Sequence, residues 1–109
     1  MTSRMLPALL AAAILPALAG DEVTLQLVAR DGRFYPSTLT APAGKLIRIE
    51  ISNAGTTPIE FESNSLRKEK VLAPGAHSVV VIRSPSAGRY TFFDDYHQAT
   101  GQGVLVVTP

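Results

Sequence analysis

The chain has 109 residues, with 10 Lys+Arg against 9 Asp+Glu, two His and no Cys. That length fits one domain, and the near-zero charge balance leaves no electrostatic footprint for nucleic acid. The absence of thiols excludes a disulfide framework, a thiolate zinc site, an iron–sulfur cluster and a cysteine nucleophile, and 46% hydrophobic against 17% charged residues is too apolar for disorder.

Residues 1–19 have the plan of a secretory signal peptide. Arg4 supplies the positive end, Leu6 to Leu18 is an apolar run of 13 residues, and Ala17-Leu18-Ala19 is a small-x-small cleavage site. The alternative is an uncleaved anchor. The run is short against the roughly 18 residues of a bilayer span, and Pro7 and Pro16 interrupt it. No Cys follows to carry a lipid anchor. Cleavage near Ala19 leaves a domain of residues 20–109 that has lost Arg4, Met1 and Met5, so its net charge is zero and it contains no sulfur. Metal chemistry is then confined to oxygen and nitrogen ligands. The compartment expected is a bacterial periplasm.

The rest reads as all-β. Val23, Leu25 and Leu27 alternate with Thr24, Gln26 and Val28, and Asp31-Gly32 is a turn. Thr38 to Ala41 is a short strand stopped by Pro42-Ala43-Gly44. Leu46, Ile47, Ile49 and Ile51 form a strand with Arg48 and Glu50 on the other face, closed by Asn53-Ala54-Gly55. Pro58 to Glu62 is extended, and Ser65 to Val71 has room for one helical turn. After Ala73-Pro74-Gly75 come the β-branched run Val79 to Ile82, the turn Pro85 to Gly88, and strands at Tyr90 to Phe93 and Val104 to Val107. Short strands punctuated by Gly and Pro predict a two-sheet Greek-key sandwich of about 7–8 strands.

Chemistry-bearing residues gather in two segments, Ile59 to Glu69 and Tyr90 to Gln98. Together they hold Glu60, Glu62, Glu69, Asp94 and Asp95, with one imidazole, His97. Strand alternation puts Glu60 and Glu62 on one face and Phe61 on the other. Adjacent acids such as Asp94-Asp95 repel unless a cation or strong donors offset the charge. Each residue alone has a plain reading. Glu60 and Glu62 suit a solvated strand face, Asp94-Asp95 a turn, Glu69 a surface cluster with Lys68 and Lys70, and His77 a structural role. The combination points to metal binding, because His97 follows two acids within three residues.

The pattern Tyr90-x-Phe92-x-Asp94-x-x-His97, followed by Gly101-x-Gly103-Val-Leu-Val, resembles the copper-ligand loop of cupredoxins. Phe34-Tyr35-Pro36, Leu39, Pro42-Ala43-Gly44 and Asn53 resemble the family's early strands. Closer still is the similarity to a cysteine-free periplasmic subfamily with Glu-Phe-Glu-Ser, a following Glu-Lys, and Phe-Phe-Asp-Asp-aromatic-His. That subfamily is associated with bacterial ferrous-iron permease systems. The resemblance implies two partners, a periplasmic copper- or iron-binding protein and an iron permease. It places Asp94 where the cupredoxin Cys stands, His97 at the loop His, Glu60 or Glu62 near the upstream His and Gln102 near the axial Met. Blue-copper chemistry needs a thiolate, so no type 1 centre is expected.

The leading expectation is a metal-binding protein for copper and/or iron that serves iron uptake by binding, delivery or redox partnering. Its ligands would be Glu60, Glu62, Glu69, Asp94, Asp95 and His97. Carboxylates favour Fe(III) over Fe(II), because the smaller, more highly charged ion gains more from hard anions. A copper-dependent ferroxidase is the enzymatic alternative. A metal-free interaction module is the third, since fold does not fix function. No Gly-x-Ser-x-Gly elbow or phosphate-binding loop is present.

Overall fold

The computed structural model describes residues 20–109. The expected signal peptide, residues 1–19, lies outside them. The described residues form nine strands: β1 (Glu22–Arg30), β2 (Arg33–Tyr35), β3 (Thr38–Pro42), β4 (Leu46–Asn53), β5 (Ile59–Ser63), β6 (Lys68–Leu72), β7 (His77–Arg83), β8 (Gly88–Asp94) and β9 (Gln102–Thr108). One 3-10 turn, η1 (Asp95–His97), follows β8. The strands make two sheets, ordered β2-β1-β4-β7 and β3-β9-β8-β5-β6. The chain crosses between sheets repeatedly. β1 pairs in parallel with β4 and β3 with β9, and the remaining pairs are antiparallel. The two-sheet sandwich expected from the strand pattern is therefore present.

Period-two alternation builds the core. In β4, Ile47, Ile49, Ile51 and Asn53 are buried while the residues between them are half-exposed. Leu27, Phe34, Phe61, Phe92 and Leu105 join them from both sheets. Phe61 and Phe92 stack at 5.1 Å, and Phe34 meets them edge-on at 6.1 and 5.3 Å. Such ring pairs add to the burial of large apolar surfaces.

Two strands exceed the sequence expectation. β2 is a three-residue hairpin partner of β1. Asp31 and Gly32 between them both have positive φ, 54° and 72°, the conformation that an Asp-Gly hairpin turn requires. β6 replaces the helical turn expected over Ser65 to Val71. Arg67, at φ 58°, ends a tight turn, and Lys68–Leu72 then pairs with β5. β6 is an edge strand with only Leu72 buried, so it carries no apolar alternation to read.

Asn53 ties two loops to the end of β4. Its Nδ2 donates to Thr57 O at 2.9 Å and Leu72 O at 3.1 Å, and its Oδ1 accepts from Gly55 N at 3.0 Å. The residue is 2% exposed. Asn53→Leu keeps the volume but leaves three backbone groups without partners. The expected loss is about 2–3 kcal/mol of unfolding free energy, measured by chemical denaturation.

Candidate metal centre

The inward and outward faces of β5 and β8 sort the acidic residues. Ile59, Phe61 and Ser63 are buried, so Glu60 and Glu62 stand on the outer face of the second sheet, half-exposed. In β8, Phe92 and Asp94 are buried, so Asp94 points inward. The strand ends there, and the next residue, Asp95, opens η1 on the outer side.

Glu60, Glu62 and Asp95 come together: one carboxylate oxygen from each lies within 4.8 Å of the others. Glu69 sits directly across from Glu62 in the β5–β6 pair, on the same face. Lys68 and Lys70 lie opposite Ser63 and Phe61, so alternation directs them to the other face. Glu69 is thus part of the acidic face rather than of a lysine cluster. Like charges opposite each other in a ladder destabilise it. Among the described residues, no ion pair neutralises Glu60, Glu62, Glu69 or Asp95.

Glu60 carries the electrostatic consequence. Partial burial raises its pKa above the ordinary carboxyl value of 4.5, and the charges of Glu69, Asp95 and Glu62, with a hydrogen bond to Asp95, raise it further.

Asp94 and His97 form a separate arrangement. Asp94 is 1% exposed. Its Oδ1 accepts from the backbone N–H of Glu60 and of Tyr96, each at 3.0 Å. Its Oδ2 lies 2.7 Å from His97 Nδ1. A carboxylate only accepts, so the imidazole proton sits on Nδ1. His97 Nε2 faces Thr57 Oγ1 at 3.5 Å. The expected six-residue ligand set therefore divides into a carboxylate trio, Glu69 beside it, and an inward pair already bonded to itself and to backbone. Gln102 bonds the carbonyl of Gln98 at 2.6 Å. His77 lies away from this region, lining a shallow recess on the first sheet with Gln26 and Glu50.

A type 1 copper centre does not fit these residues. It needs a thiolate, the chain has no Cys, and both oxygens of Asp94 are occupied by N–H donors.

The architecture and its cysteine-free loop define a cupredoxin-like β-sandwich without a blue-copper ligand set. Auracyanin A, a "blue" copper protein from Chloroflexus aurantiacus, superimposes with a TM-score of 0.67 and 20% identity, over 80% of this chain and 99% of that one. A purple cupredoxin from Nitrosopumilus maritimus gives a TM-score of 0.61 at 17% identity, over 77% of this chain and 99% of that one. The chain belongs to the cupredoxin-like domain family, whose profile matches residues 3–107. It is 34% identical over 83 residues to the uncharacterized protein RP394 of Rickettsia prowazekii (strain Madrid E), covering 76% of this chain and 66% of that protein. The chain thus spans just under two thirds of that relative's length.

The raised pKa of Glu60 has a definite sign. The folded protein holds this proton more tightly than the unfolded chain does. The stability it contributes is present below the unfolded pKa and is lost as pH rises through the folded one. Metal-free protein should therefore lose stability as pH rises from just above 4.5 toward neutrality. Glu60→Gln should flatten that slope and raise the denaturation midpoint at neutral pH. An unchanged slope in denaturation curves recorded in chelator would exclude repulsion at Glu60.

Proposed function

We propose that this is an extracytoplasmic metal-binding protein that assists bacterial iron uptake, with Glu60, Glu62 and Asp95 as its cation ligands. One observation carries the reading: three carboxylates from two separate elements converge within 4.8 Å, and among the described residues none of them is in an ion pair. Such a cluster costs energy in the metal-free protein, and a bound cation removes that cost. Glu69 adds charge at the margin through its position across from Glu62.

Hard oxygen donors select the ion. An all-carboxylate set suits iron and other hard divalent or trivalent cations, and it stabilises Fe(III) relative to Fe(II). Cu(II) is a weaker match, because the imidazole of His97 is not among the side chains that converge there. The ligands are half-exposed, which leaves coordination positions open to water or to a second protein. Binding and delivery suit that exposure. The subfamily resemblance supplies the setting, a periplasm with a copper- or iron-binding partner and a ferrous-iron permease.

Calorimetric titration of residues 20–109 with Fe(III) in a weak chelating buffer, Fe(II) under anaerobic conditions, and Cu(II) tests this. Iron is expected to bind at one equivalent. Glu62→Gln and Asp95→Asn should each weaken it by roughly tenfold or more, since charge count tunes such sites. Wild-type affinity in both variants would remove these residues from the site.

A further inference from the structure

Asp94 is a buried acid that the cation site does not use, and it touches both halves of that site. Through Oδ1 it holds the backbone N–H of Glu60, in β5, and of Tyr96, in η1. Tyr96 directly follows Asp95. Through Oδ2 it holds the ring of His97, at the other end of η1. One side chain thus fixes two ligand-bearing segments by three bonds.

The surroundings are built around this carboxylate. Asp94 N donates to Gly101 O at 2.8 Å, and Gly101 N returns to His97 O at 2.7 Å. A Cβ at Gly101 would lie 2.7 Å from Asp94 Cβ and 3.0 Å from His97 O, so the return of the chain admits only glycine. A Cβ added at Gly32 would lie 3.3 Å from Cδ2 of His97. The β1–β2 turn therefore lies beside the ring.

We propose that Asp94 and His97 are positioning residues rather than metal ligands: buried Asp94 and the half-exposed His97 together lock β5 to η1 without a metal, and so hold Glu60 and Asp95 in place for a cation that binds outside. The cation half of this inference rests on the function proposed above, whereas the lock does not. His97 acts as an N–H donor to Asp94. Any side chain that presents a donor at the Nδ1 position does the same work.

Two substitutions separate donor from ligand. The side-chain amide nitrogen of Asn occupies nearly the place of Nδ1, so His97→Asn keeps the donor and discards the imidazole. His97→Ala discards both. The measurements are iron affinity by calorimetry and thermal midpoint in chelator, on residues 20–109. His97→Ala should weaken iron binding by roughly 10–100-fold, the usual effect of losing a supporting partner around a metal site, and lower the midpoint. His97→Asn should restore most of both.

Equal weakening in the two variants would make the imidazole a ligand and overturn the proposal. So would unchanged affinity in His97→Ala. Val80→Ala, in the opposite sheet, controls for general destabilisation. If it weakens iron binding as much as His97→Ala at a matched midpoint, positioning is rejected. Should the wild type bind no cation, the proposed function fails while the lock is still decided. A midpoint that Asn restores supports it, and one that Asn leaves at the Ala value overturns it.

Discussion

A carboxylate with 1% of its surface exposed governs this end of the molecule. Burying a charge is costly unless it is paired and hydrogen-bonded. Asp94 meets that requirement with three N–H donors drawn from β5, η1 and the His97 ring. None of the three donors is next to Asp94 in sequence. The chain must therefore stop β8 at this residue, turn at once through η1, and bring β5 alongside. Glycine at position 101 follows from the same demand, because a Cβ there would lie 2.7 Å from the Asp94 Cβ.

The outer face has the opposite economy of charge. The inward acid is satisfied, while Glu60, Glu62, Glu69 and Asp95 repel one another in partial contact with water. Alternation in β6 sends Lys68 and Lys70 away from them. Keeping the acids unneutralised leaves the sheet less stable without a cation and gives a bound cation a net gain. Desolvation, followed by the same repulsion, raises the pKa of Glu60.

Much of this was legible in the residues. The alternation of Leu46 to Ile51 and the β-branched run at Val79 to Ile82 marked strands because each has one apolar face. Glu60 and Glu62 were placed on a common face by the same rule. Applied to Tyr90, Phe92 and Asp94, that rule also puts Asp94 inward. Grouping it with Asp95 obscured this, since the two acids are neighbours in sequence and lie on opposite sides of the sheet. β6 was hidden because an edge strand of Lys, Glu, Lys and Val needs no apolar pattern. The partner of His97 Nδ1 depended on the closure of a loop, which no periodicity encodes. The register between Glu62 and Glu69 likewise follows from the tight turn at Arg67, whose positive φ a sequence pattern does not announce.

Separating the structural acid from the surface acids bears on what the domain is suited to do. Where a metal builds the fold, its loss unfolds the chain, and binding energy is folding energy. Here N–H donors of the chain itself satisfy Asp94 at the junction of β5, β8 and η1, so that junction closes without a metal. On the function proposed above, a cation held by half-exposed oxygens would leave such a framework standing. Its departure would restore only the local repulsion among those carboxylates. Such a site would suit handing an ion on better than retaining it.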